Sequence, residues 1–167
     1  PLLRELGERW ARGQGSIAEE HFFSVFLRNK LGARFHHLSR NRQGPRLLAA
    51  CLPGEQHEVG LLLFALAALD WDYRVVLLGP NTPLSELPPV VEQATIQAIV
   101  LSGSVEVATA TVERELPQLC RSVAMPVFVG GQVTHRCSNA IASAGAIPLS
   151  DDLSLALRRI DATLARR

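Results

Sequence analysis

The run PGEQHEVG, residues 53–60, sets a carboxylate, Glu55, two residues ahead of an imidazole, His57, where an apolar stretch gives way to an apolar helix. A carboxylate that holds one ring nitrogen of a histidine leaves the other as a metal ligand. His57 also falls at or near a helix start, where the neutral imidazole is favoured over the charged one. The same residues read equally as an ordinary surface loop. Two later stretches offer related chemistry. LSGSVE places Ser102 and Ser104 on either side of Gly103. That gives two hydroxyls and room to approach the backbone, or a helix N-cap behind a turn glycine. VGGQVTH places Gly130 and Gly131 after an apolar run. The pair leaves space for a flat or bulky ligand, or makes a tight strand-to-helix turn.

These loops lack the marks of other chemistries. There is no GxGxxG dinucleotide fingerprint and no GKS or GKT phosphate loop. SGS is not the GxSxG of a serine hydrolase, and His135 completes no evident triad. A phospho-accepting response-regulator domain needs an aspartate after its third strand, where Ser102 stands.

Placing the loops together requires a scaffold, and the chain supplies one after residue 44. Short apolar strands are expected at 45–52, 73–79, 97–103, 125–131 and 146–150. Helices alternate with them at 57–71, 83–94, 105–120, 134–145 and 152–165. This alternation predicts an α/β fold, a five-stranded parallel doubly wound sheet of Rossmann-like or flavodoxin-like type. Ligands of such sheets sit outside the carboxyl ends of the strands. The loops at 53–57, 79–83, 102–105 and 130–134 then share one edge, within reach of a single large ligand. Before residue 44 the pattern is helical. Leu2, Leu3, Leu6 and Trp10 have helical spacing over 2–13. Ser16 and Glu19 form a capping box that opens a second helical region, 16–41, with Phe22, Phe23, Phe26, Leu27 and Leu31 as its apolar positions. The expected division is a helical cap over 1–43, part of a four-helix bundle, and an α/β domain over 44–167.

Bulk properties exclude several function classes. The 167 residues are 47% hydrophobic with a formal net charge of +1, which argues against disorder and against a nucleic-acid surface. The basic run at 28–42 reads as a solvated helix end. Cys51, Cys120 and Cys137 are too far apart for a CxxC site or a disulfide framework, so a cytoplasmic setting is expected. No apolar run approaches the roughly 18 residues of a membrane span, and no signal-peptide pattern opens the chain. The first residue is Pro, which suggests a piece of something longer.

Glu55, His57 and Gly60, then Ser102, then Gly130 and Gly131 resemble the motif set of the cobalamin-binding domain of methionine synthase, B12-dependent mutases and B12-dependent regulators. The resemblance implies that His57 is the lower axial ligand of cobalt, its only protein metal ligand. It displaces the cofactor's dimethylbenzimidazole, and that tail threads into the sheet between the serine and glycine loops. Glu55 is then the partner of the His57 ring, and Glu58 is counted with the binding residues. Ser104 stands where the family often has an apolar residue.

WARGQGSIAEEH, residues 10–21, narrows the likeness further. Trp10, nine residues, then Glu20 and His21 resemble the motif of the MerR-type light-dependent adenosylcobalamin-binding repressors of carotenoid genes. In that family the Trp sits over the adenosyl group and the Glu and His flank it. Trp10 offers a stacking face for the adenine, and Glu20 can accept hydrogen bonds from ribose hydroxyls. Taken alone, Trp10, Phe22 and Phe23 read as helix-to-helix core. Ala11 stands where the light sensors carry a histidine, so their photoproduct is not expected to form in the same way. The implied function is non-enzymatic: base-off/His-on binding of adenosylcobalamin by a sensory or regulatory module. Light-responsive control of transcription would act through a homo-oligomer or a protein partner. DNA would be reached only through a domain outside this sequence, and no membrane is involved. Two alternatives stay open: a corrinoid-carrier module of a B12-dependent methyltransferase, with methylcobalamin or another cobalamin bound, and a related sensor of another tetrapyrrole.

Overall fold

Continuous runs of buried Leu, Val, Ile and Ala build the centre of the molecule, as in a parallel sheet covered on both faces. The computed structural model describes residues 16–104 and 110–166. Its strands are β1 Arg46–Cys51, β2 Arg74–Gly79, β3 Ala98–Ser102, β4 Val127–Gly130 and β5 Ile147–Pro148. They form one five-stranded sheet in the order β2-β1-β3-β4-β5, with every pairing parallel. This is the flavodoxin-like order, as expected. After β2 the chain passes back over β1 to lay β3 on its other side. That reversal opens a crevice between the carboxyl ends of β1 and β3.

The helices are α1 Ile17–Leu38, α2 Val59–Asp70, α3 Leu87–Ala94, α4 Leu116–Ser122, α5 Val133–Ser143 and α6 Leu153–Leu164. Side chains alternate across β1. Leu48 and Ala50 join the core that α3, α4 and α5 close, through Leu87, Leu116 and Ile141. Leu47 joins the opposite core with Phe64 of α2 and Leu157 and Ile160 of α6. Tyr73, buried there, donates its hydroxyl to Asp161 at 3.1 Å and so ties the start of β2 to α6.

Proline chemistry sets the places where elements differ from expectation. The helix expected over 83–94 opens with a tight 3-10 turn at Leu84–Glu86, and α3 follows with prolines in its first turn, where their missing N–H costs nothing. The helix expected over 105–120 is described from Ala110 onward. It begins as a wider, π-type turn at Thr111–Glu115 and becomes α4 at Leu116, just before Pro117. β5 is shorter than 146–150 because Pro148 has no N–H for the ladder and sits in an edge strand.

α1 carries the expected capping box. Ser16 Oγ accepts from the Glu19 amide at 3.2 Å, and Glu19 accepts from the Ser16 amide at 2.8 Å. The helix lies against α2, while its first half is largely exposed, with Phe22 at 74%. Phe22 and Phe26 stack at 6.4 Å. The expected helix at 2–13 lies outside the described residues. Among the described residues, no helix is long and apolar enough to cross a membrane.

Candidate functional site

β1 ends deep in the sheet at Cys51, and the next turn is held from both sides. The Leu52 amide donates to the Ser102 carbonyl at 2.9 Å, and the Glu55 amide closes back on the Leu52 carbonyl at 3.0 Å. Gly54 makes this turn at φ +83, and its amide donates to Asn81 Oδ1 at 2.8 Å. The Asn81 amide in turn donates to the Glu55 carbonyl at 2.8 Å. The loop after β2 therefore braces the His57 loop from behind.

This bracing buries Glu55. Its Oε1 accepts from the His57 amide at 2.7 Å and lies 2.8 Å from His57 Nδ1. Its Oε2 accepts from the Ser104 amide across the crevice. Burial pushes the carboxyl up, but hydrogen bonds from Ser104, and then from His57, outweigh it and hold the carboxyl below its usual range. An ionised carboxylate only accepts, so Nδ1 must carry the proton. The lone pair of a neutral His57 then lies on Nε2. The carboxylate is fixed and buried, with 2% of its side chain exposed, whereas the imidazole it holds is 75% exposed. Cys51 lies beneath this turn. Burial first, then the Glu55 and Glu58 carboxylates, push its thiol up to about 12, so it is inert packing.

Glu55, His57, Gly60, Ser102, Ser104 and Gly131 line one open cavity of about 520 Å³. A second, more apolar cavity of about 340 Å³ runs on between α2 and α6, past Phe64, Val100, Gly130 and Leu149. The two share Gly60, Ser102, Gly131 and Gln132, so they form one cleft with a polar mouth and an apolar slot.

The glycines play different parts. A methyl group on Gly60 would meet nothing within 4 Å, so its missing side chain leaves space in the cleft. Gly131, at φ +86, is required by the fold itself, because a methyl there would stand 2.5 Å from the Gly103 carbonyl. The two loops close on each other through Gly103 N–H to the Gly130 carbonyl and Val133 N–H to the Gly103 carbonyl, both at 3.1 Å.

The sequence-derived residues divide accordingly. Six meet at the mouth and Gly130 lies in the slot. Glu58 turns away from the cleft and pairs with Arg28 of α1. His21 is exposed on α1, Glu20 falls on the same helix, and Trp10 lies outside the described residues. Sequence reasoning missed Gln132, although it directly follows the glycine pair. It also missed Asn81, whose part is to brace a backbone.

The donor set limits what such a site can hold. Among the described residues, no group of three or more His, Cys, Asp or Glu side chains is placed to hold a metal ion. One anchored imidazole suits a metal that arrives with most of its ligands already attached, in a large, partly apolar group. The cleft and the open space at Gly60 fit a group of that kind.

Residues 1–34 match the family described as B12 binding domain. The chain is 36% identical over 135 residues to the HTH-type transcriptional repressor CarH of Myxococcus xanthus, covering 78% of this chain and 44% of that protein. It is 35% identical over 147 residues to the HTH-type transcriptional repressor CarA of the same organism, covering 87% and 49%. The chain thus spans about half the length of the curated relatives it matches. In fold it is similar to the monomethylamine corrinoid protein of Methanosarcina barkeri, with a TM-score of 0.69 at 14% identity, over 94% of this chain and 76% of that one.

Proposed function

We propose that this chain, a cobalamin-binding domain related to the CarH- and CarA-type repressors, holds adenosylcobalamin with His57 beneath the cobalt and acts as a sensory, regulatory module. The observation that carries the reading is a buried carboxylate fixing one nitrogen of an exposed imidazole at the mouth of a two-part cleft. When bound, the group supplies a cobalt ion held by its own ring nitrogens and a light-sensitive bond to its upper ligand.

The chain's residues do the rest. Glu55 keeps the proton on Nδ1 and so presents the Nε2 lone pair to the metal. The apolar slot, with Ser102 and Gln132 at its entrance, would receive the cofactor's nucleotide tail. Gly60 leaves the space that any side chain would fill. By the family resemblance, Trp10, Glu20 and His21 would cover the upper side. The regulatory output is a change in oligomeric state or in a protein contact, relayed to DNA through a domain outside this chain.

The test is reconstitution in the dark with adenosylcobalamin, and separately with methylcobalamin, followed by absorption spectra and particle size before and after green light. The expected result is a base-off/His-on spectrum that His57→Ala abolishes, with a light-dependent change in size or partner binding for the adenosyl form. A colourless protein, or a bound cofactor that keeps its benzimidazole on cobalt, overturns the reading.

A further inference from the structure

Glu58 directly follows His57 and occupies the capping position of α2, yet its side chain makes no capping bond. Its Oε1 instead accepts from Nε of Arg28, which stands midway along α1. Its other oxygen lies over the end of β2, where a methyl on Gly79 would stand 3.3 Å from it. The Glu58 side chain is 12% exposed and that of Arg28 59%. A pair this exposed on one side adds little to stability, so its effect is positional.

The turn 55–58 thus holds two carboxylates that face opposite ways. Glu55 reaches inward to the His57 ring and the Ser104 amide. Glu58 reaches outward to α1. His57 lies between them, so a shift of its backbone carries Glu58, and through it Arg28. α1 is one unbroken helix from Ile17 to Leu38. At about 1.5 Å per residue, Arg28 lies about 12 Å along the axis from Glu20. The helix beyond Arg28 toward Ile17 is the largely exposed half. A tilt of α1 about Arg28 would therefore be carried along the unbroken helix to Glu20 and His21.

We propose that Arg28 and Glu58 are a positioning pair that couples the His57 turn to α1, so that ligation at His57 and the placement of the helix bearing Glu20 and His21 depend on each other. The proposal rests on the cobalamin reading above, and by linkage the coupling runs in both directions.

The experiment follows backbone amide exchange over 17–30 and 55–62 in the full chain, unloaded and loaded with adenosylcobalamin in the dark. It compares wild type, Arg28→Glu, Glu58→Arg and the double swap. Wild type is expected to slow exchange in α1 on loading. Each single variant should lose that response and, when unloaded, exchange about two- to five-fold faster in both segments, the size an exposed ion pair supports. The double swap should restore both. Unchanged exchange in the singles, or a swap that folds by circular dichroism yet restores nothing, overturns the proposal. Should wild type take up no cobalamin, the cofactor reading fails by itself, and the unloaded comparison still decides whether the pair couples the two segments.

Discussion

Glu55 is the residue on which the site's chemistry turns, because it serves both sides of the crevice at once. Glutamine there keeps one acceptor for His57 but turns an N–H group toward the Ser104 amide, donor against donor. Glu55→Gln should lower stability by about 1–3 kcal/mol in denaturant titrations. It should also weaken cobalamin binding about 10- to 100-fold, the usual cost of losing a partner that orients a metal-bound histidine. Unchanged affinity would show that the His57 ring needs no anchor. Cys51 gives a pH test nearby. Its thiol is fully buried and titrates near 12, above the ordinary thiol value, so the fold keeps it neutral at pH 8. Stability tied to that neutral thiol is present below the ordinary thiol range and is lost as pH rises toward 12. Alkylation at pH 8 should therefore leave Cys51 unmodified until denaturant is added, as mass spectrometry would read directly. The spacing of Glu55 and His57 made their pairing legible in the sequence. The tie from Glu55 to Ser104 was not, since backbone amides carry no letter. Glu58 is counted with the binding residues in the sequence, and only the packing of α1 reveals Arg28 as its partner.

At the scale of elements, two glycines in the cleft separate what the fold needs from what a ligand needs. Gly131→Ala forces a methyl against the Gly103 carbonyl at a positive φ, so it should cost about 1–3 kcal/mol and loosen the loops after β3 and β4 together. Gly60→Ala meets open space in the first turn of α2. There alanine should leave stability unchanged or raise it by up to about 1 kcal/mol, while cobalamin affinity falls. Thermal melts and binding titrations on the two variants distinguish the roles, and a Gly60→Ala protein that binds as tightly as wild type would remove Gly60 from the site. In sequence neither glycine declared its role: Gly131 closes an apolar run and Gly60 opens one. The strand and helix order was legible because short apolar runs alternate with longer helical ones. The wider turn ahead of α4 and the two-residue β5 were less so, although Pro117 and Pro148 marked where ladders would fail.

At the scale of the whole molecule, the proposed cofactor would touch loops after β1, β3 and β4 and one face of α1, and so add contacts across several elements at once. A ligand bound only by the folded state stabilises it by about 2.7 kcal/mol at a concentration one hundred times its dissociation constant. In a domain of this size each kcal/mol is worth about 2–4 °C. Adenosylcobalamin in that excess should therefore raise the dark melting temperature by about 5–11 °C. His57→Ala should give a much smaller rise at equal concentration, even though the exposed ring itself contributes little to stability. Illumination before the melt should return part of the gain if the module is a light sensor, because the contacts between α1 and the upper ligand are then lost. An identical melt in light and dark, with the lower ligand intact in the spectrum, would assign the chain to cofactor holding without a light switch. That last distinction is the one Ala11 raises in the sequence, and it belongs to the cap and its partners rather than to the sheet.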